Sequence, residues 1–281
     1  MRKTVQQWLE EGIVDLFLGY RAVEGHPIPW VFRKDALHEL EAFREGPYRY
    51  PLEKLAVEIL REDPRVRLGL LARSCTERAV TVLQALHALD RERLILLQEP
   101  CCPSPLHRGV VCSSLAGPEN GSQKRRDGIP RGRPLEELET WEADERFSRW
   151  MHELEKCLKC YGCRDVCPVC FCDQCTLQDP ELFETGSLPA EAPHFHLVRA
   201  VHMAGRCVDC GLCEEACPVD IPLRTLYRKV GALVRDLYGY VPGHEPVPLL
   251  WGPLGDGELE RLVAGERSRE MVWEAVRRCS G

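Results

Sequence analysis

Cys157-Leu-Lys-Cys160-Tyr-Gly-Cys163-Arg-Asp-Val-Cys167-Pro168 and its echo, Cys207-Val-Asp-Cys210-Gly-Leu-Cys213-Glu-Glu-Ala-Cys217-Pro218, decide how this chain folds. Both read C-x2-C-x2-C-x3-C-P, the spacing of iron–sulfur ligand loops. Thiolates at every third residue of a tight loop reach three corners of one iron–sulfur cube. The fourth cysteine lies a helical turn further on and points away, toward the other cube. The expected ligand sets are therefore crossed. Cys157, Cys160, Cys163 and Cys217 form one set, and Cys207, Cys210, Cys213 and Cys167 form the other. Each closing proline lacks an N–H and bars helical continuation. Structural zinc is the alternative. It takes four tetrahedral ligands, usually as two separated pairs, whereas each run here supplies four on its own.

Working outward, the insertion between the runs holds a surplus: Cys170, Cys172 and Cys175. Three thiols in so short a stretch point to a third metal site, completed by Cys75, Cys101 or Cys102. Cys112 and Cys279 carry no motif and read as structural. His194, His196 and His202 precede the second run, but both runs already have four cysteines. These histidines read as helix-surface or core residues. Residues 193–204 are expected to be helical. After Cys217, the apolar residues Leu223, Leu226, Tyr227, Val230, Leu233, Val234 and Leu237 recur at helical spacing, with Pro222 at the start.

The N-terminal part has a different rhythm. A short helix over 3–11 leads to a buried strand over 13–20, a turn at Glu24-Gly25-His26-Pro27 and an edge strand over 28–32. A helix from Pro51 stops at Asp63-Pro64. A strand over 66–71 runs into a helix beyond Cys75 with Ala79, Val80, Leu83, Leu86 and Leu89 inward, then a strand over 94–97. Alternating strands and helices predict a small parallel or mixed sheet. Cys75 and Cys101 fall just past the carboxyl ends of strands, the edge where such sheets bind ligands. The helix after Cys75, capped by Ser74 or Thr76, offers an N-terminus suited to a phosphate-bearing cofactor such as FAD; an ordinary cap is the alternative. The expected organisation is an α/β domain over 1–116, a loop or linker over 117–134, an α-rich two-cluster ferredoxin-like domain over 135–240, and a tail with a helix over 241–281. The linker's basic group (Lys124, Arg125, Arg126, Arg131, Arg133) reads as solvated loop, with docking to an acidic partner as the alternative.

The chain has 281 residues and a net charge of −7, which opposes nucleic-acid binding. No signal core or membrane-length apolar run is evident, so the expected location is cytoplasmic, where thiols stay reduced. G-x-G-x-x-G after a strand, the P-loop and H-E-x-x-H are all missing. No catalytic residue is identified.

Several pieces together resemble the beta-subunit family of deazaflavin-linked hydrogenases and formate dehydrogenases. They are Val14-Asp-Leu-Phe-Leu-Gly-Tyr20 with its Gly-His-Pro turn, Arg73-Ser-Cys-Thr-Glu-Arg78, Leu94-Ile-Leu-Leu-Gln-Glu-Pro-Cys101 and the two cysteine runs. The resemblance implies an electron-relay subunit of a larger redox complex, partnered by a formate dehydrogenase, hydrogenase or heterodisulfide-reductase-type assembly. The alternative it implies is an FAD-containing subunit that exchanges electrons with a soluble carrier such as a deazaflavin. A regulatory metal module is the third class.

Overall fold

The structure, a computed structural model, describes residues 1–46, 48–101, 138–183 and 192–244. The basic loop at 117–134, Cys102, Cys112, Cys279 and the expected tail helix lie outside the described residues.

The N-terminal lobe is built on a mixed sheet of β1 (Leu16–Val23), β2 (His26–Arg33), β3 (Phe43–Arg44), β4 (Leu68–Ala72) and β5 (Leu94–Gln98), in the order β2-β1-β4-β5 with β3 pairing β1. β1, β4 and β5 are parallel, in registers that align Leu16 with Leu68 and Leu68 with Leu94. Every residue of β4 is buried, as a strand covered on both faces requires. β1 and β2 form an antiparallel hairpin. The expected four-residue turn is shorter than the sequence suggested. Glu24 and Gly25 alone turn the chain, both at positive φ, and His26 and Pro27 already belong to β2. Pro27 and Pro29 are tolerated because β2 is an edge strand and needs no outward N–H. Gly69 allows the ring of Phe17 to lie against β4, where an added Cβ would sit 2.5 Å from Cδ2.

Three helices cover the sheet lobe: α1 (Arg2–Glu10), α2 (Leu52–Glu62) and α3 (Ser74–Ala85). Asp63, extended before Pro64, ends α2. α3 stops sooner than its apolar pattern implied: His87 turns left-handed at φ 54°, although Leu89 is still buried. Phe17, Phe32, Leu68, Leu70 and Leu83 are completely or almost completely buried here, each contributing about 1.5–3 kcal/mol relative to exposure.

The second lobe is helical: α4 (Ala143–Leu154), α5 (Gly162–Asp165), α6 (Ala192–Met203), α7 (Leu212–Glu215) and α8 (Leu223–Tyr238). Gly239, left-handed at φ 65°, closes α8. α5 and α7 are the single turns that contain the third cysteine of each run, Cys163 and Cys213. The two lobes interlock through α3. Val80 and Leu83 enter the sheet core, while Ala79 and Val82 enter the core around the cysteine runs. Phe171, just beyond the first run, packs the other way, onto the sheet core.

Candidate metal centres

The two runs share one backbone design. Lys159 and Tyr161 in the first, Asp209 and Gly211 in the second, all have positive φ. These left-handed residues bend the chain so that consecutive cysteines face inward. Each non-glycine case costs about 1–2 kcal/mol, a strain that the loop must recover through its contacts. Tyr161 recovers part of it. Its ring meets Phe195 edge-on at 5.6 Å, and its hydroxyl donates to the Leu177 carbonyl at 3.1 Å. Backbone amides point at the sulfurs in both loops. Lys159 N–H donates to Cys157 Sγ at 3.3 Å, and Asp209 N–H donates to Cys207. Ile221 N–H donates to Cys217 Sγ at 3.4 Å.

Cys157, Cys160 and Cys163 line a single cavity with Cys217 from the other run. In the second group, Cys207, Cys210 and Cys213 lie within electrostatic reach of one another, and Cys167 lies within reach of Cys210. The first expected set thus shares one cavity, and the members of the second stand within electrostatic reach. Burial pushes the thiols up, Cys163 and Cys207 to about 11 and Cys210 to about 12. Metal ions must displace these protons to bind. Among the described residues, no three His, Cys, Asp or Glu side chains converge as a single ion requires. A cube instead holds its thiolates on separate corner irons, around a cavity.

The polar atoms around these sulfurs also fit an iron–sulfur anion. His196 is 1 % exposed and lines the first cavity, yet neither ring nitrogen has a hydrogen-bond partner. Burial, with Arg199 adding to it, holds this imidazole down to about 4, so it is neutral. Arg199 is 2 % exposed. Its Nη2 donates to the Cys163 carbonyl at 2.8 Å, its Nη1 reaches Cys170 Sγ at 3.3 Å, and its Nε has no partner. Buried donors without acceptors are costly, and cluster sulfur is an acceptor of the right charge. The cysteines of the runs would hold 4Fe-4S clusters, which when bound supply one-electron uptake and release.

The surplus cysteines have varied surroundings. Cys170 is hydrogen-bonded to Cys167 and to Arg199, Cys175 to Arg164, and Cys172 is exposed. At the sheet edge, Cys101 Sγ lies 3.1 Å from Ser74 Oγ, and Cys75 is within electrostatic reach of Cys210. His194 and His202 are exposed, unlike His196. The start of α3 also differs from expectation. Arg73 is its N-cap and no side chain caps it; Thr76 instead hydrogen-bonds Glu53.

A cleft between the lobes joins the sheet edge to the second run. Arg49, Glu53, Arg73, Cys75, Glu99 and Cys210 line it, and its volume is about 20 Å³. The sequence did not single out Arg49. Its guanidinium pairs with Glu215 at 2.7 Å and donates to the Cys210 carbonyl. Arg78 of α3 donates to the Val208 carbonyl at 3.1–3.2 Å. Arg73 pairs with Glu99 at 2.6 Å and donates to the carbonyls of Tyr48 and Gly46. Glu53 is fully enclosed, and burial raises its carboxyl above the usual range.

Paired loops of this spacing, packed on a shared core, are the arrangement of ferredoxin-type iron–sulfur ligand loops. In agreement, residues 200–222 match the family described as a 4Fe-4S binding domain. Two curated relatives then give the likeness a more particular form. The chain is 42 % identical over 97 residues to "F420-dependent formate dehydrogenase subunit beta" of Methanocaldococcus jannaschii, covering 34 % of this chain and 26 % of that one. It is 47 % identical over 108 residues to "F420-dependent formate dehydrogenase 1 subunit beta" of Methanococcus maripaludis, covering 38 % and 28 % respectively. The matches thus span about a quarter of the length of these relatives. The likeness noted from the sequence pieces is to these beta subunits.

Proposed function

We propose that this chain is an iron–sulfur electron-transfer subunit of a multi-subunit oxidoreductase of the formate dehydrogenase, hydrogenase or heterodisulfide-reductase type. In this reading it relays single electrons between redox centres on partner subunits. Two 4Fe-4S clusters are held by Cys157, Cys160, Cys163 and Cys217, and by Cys207, Cys210, Cys213 and Cys167. The observation that carries the reading is the cavity in which Cys217 joins the three closely spaced cysteines of the other run. The protein's own part is to exclude water, to donate backbone N–H groups to sulfur and to fix the local charge, which together set the potentials. The relatives' names supply the type of assembly. Among the described residues no helix is long and apolar enough to cross a membrane.

A second reading rests on the interlobe cleft. An FAD on the sheet edge beside Cys75 and Arg73 would face the second cluster and could serve a soluble carrier such as a deazaflavin. Drug-sized ligands occupy pockets of about 300–1,000 Å³, so the described cleft would have to open before a flavin entered. The relay reading needs no such opening. Two clusters are the number we assign, because the two runs supply eight cysteines at the ligand spacing; a third would draw on Cys170, Cys172 and Cys175 with Cys75, Cys101 or Cys102.

The test is anaerobic purification with the native partners, followed by iron, sulfide and flavin analysis. About eight irons per chain with matching labile sulfide is the expected result. About twelve would require the third site. Stoichiometric flavin would favour the second reading, and zinc without labile sulfide would overturn both.

A further inference from the structure

We propose that Arg199 is the shared counter-charge of the two clusters, a fixed buried cation that raises both reduction potentials together. The inference rests on the iron–sulfur reading above and assigns a residue that the ligand spacing does not reveal.

Arg199 heads the largest completely buried side chains among the described residues. Its charge has no carboxylate partner among them. Its contacts are the Cys163 carbonyl at 2.8 Å, Cys170 Sγ at 3.3 Å and the face of Tyr227 at 5.7 Å, and its Nε is unpartnered. A buried charge persists where an anion answers it. Here the Cys170 thiol, drawn down by its hydrogen bonds from Cys167 and Arg199, answers part of that charge, and the two thiolate-ligated cubes would answer the rest. Sulfurs of both sets stand within electrostatic reach of the guanidinium: Cys163 belongs to the first ligand set, while Cys167, Cys207 and Cys213 belong to the second. Adding an electron makes a cluster more negative, so a nearby fixed cation favours the reduced form. One cation with sulfurs of both sets in reach biases both clusters in the same direction. Arginine suits this task because its charge does not titrate and it is less strongly hydrated than lysine.

The test is an EPR-monitored potentiometric titration of the full chain, carrying Arg199→Gln or Arg199→Lys, after anaerobic reconstitution. In Arg199→Gln, both clusters are expected to lose about tenfold in the ratio of reduced to oxidised form at a fixed poise, equivalent to 59 mV each. Arg199→Lys keeps the charge and should stay within about threefold of the parent. If the glutamine variant fails to hold clusters, a lysine variant with both clusters and parental potentials still supports the charge role. Unchanged potentials in Arg199→Gln, a shift in one cluster alone, a lysine variant that behaves like the glutamine variant, or cluster loss in both variants would overturn it. If the parent chain itself holds no clusters, the underlying reading has failed instead, and the two failures are distinct.

Discussion

The two cysteine runs share one spacing and one bend, but they live in different surroundings. In the first, Cys160 is exposed and Leu158 beside it is 50 % exposed. In the second, the equivalent residues are withdrawn: Val208 is 3 % exposed, and the Cys210 carbonyl accepts from Arg49 of the sheet lobe. Arg49 and Arg78 pin the second loop's backbone, whereas the first is tied to the sheet lobe by Lys54 at the Asp165 carbonyl and by the exposed Arg61–Asp173 pair. Identical ligand chemistry has thus been given an outward face and an inward one. In a relay, that difference sorts the clusters into one that meets a partner at the surface and one that meets whatever lies across the interlobe cleft.

The largest expected effect tests whether the runs are exchanged at all. Cys217→Ser should empty the site of Cys157, Cys160 and Cys163 and spare the other cluster. Cys167→Ser should do the reverse. Iron and labile sulfide would fall by about half in each, and EPR of the surviving cluster would identify which one remained. Loss from the mutated run's own three-cysteine loop would break the crossed assignment.

Next comes the contrast in anchoring. Arg49→Ala removes one half of a largely buried pair and is expected to cost about 3 kcal/mol, read as a drop in anaerobic unfolding midpoint. Lys54→Ala cuts an exposed tie of the first run and should cost under about 0.5 kcal/mol. Equal costs would erase the distinction between the loops.

A smaller effect lies in the glycines, which sit one position apart in the two runs. Gly211 is left-handed at φ 80°, so Gly211→Ala should cost about 1–2 kcal/mol. At Gly162 an added Cβ would meet ordinary contacts at 3.6 Å, and Gly162→Ala should fall within about 0.5 kcal/mol of the parent. Chemical denaturation of the reconstituted variants would compare the two.

The gentlest probe is pH. Glu53, in the cleft against the second run, has its carboxyl raised above 4.5, chiefly by burial. A carboxyl raised in the folded state contributes stability that is full below its ordinary value and lost as pH climbs through the raised one. Glu53→Gln should therefore flatten the fall in stability as pH rises above the ordinary carboxylate value. An unchanged slope would exclude Glu53 as its source.

The two candidate ligand runs stand out in the sequence because their spacing is local: three loop cysteines and a fourth one turn on need no long-range information. The sheet was legible in its parallel strands, from runs such as Leu68-Gly-Leu-Leu-Ala72, and the edge position of β2 followed from its prolines. The residues that connect the lobes were not. Arg49 is a lone arginine in a stretch with no motif, and its role exists only once Glu215 and Cys210 fold beneath it. Arg199 did leave a trace. Phe195, Arg199 and Met203 stand four residues apart, which places a charge on the buried stripe of α6. α3 left one too. Apolar residues at Ala79, Val80, Val82, Leu83 and Leu86 sweep too wide an arc for one interface, and the fold uses that arc for two cores.

The exposed position of Cys160 has a further consequence. Oxygen, peroxide and chelators in the surrounding water meet that corner of the first cage before any corner of the second, whose loop lies beneath the arginines of the neighbouring lobe. Damage in air should thus begin at a fixed end of the molecule. Repair by fresh iron and sulfide has its shortest route at that same end.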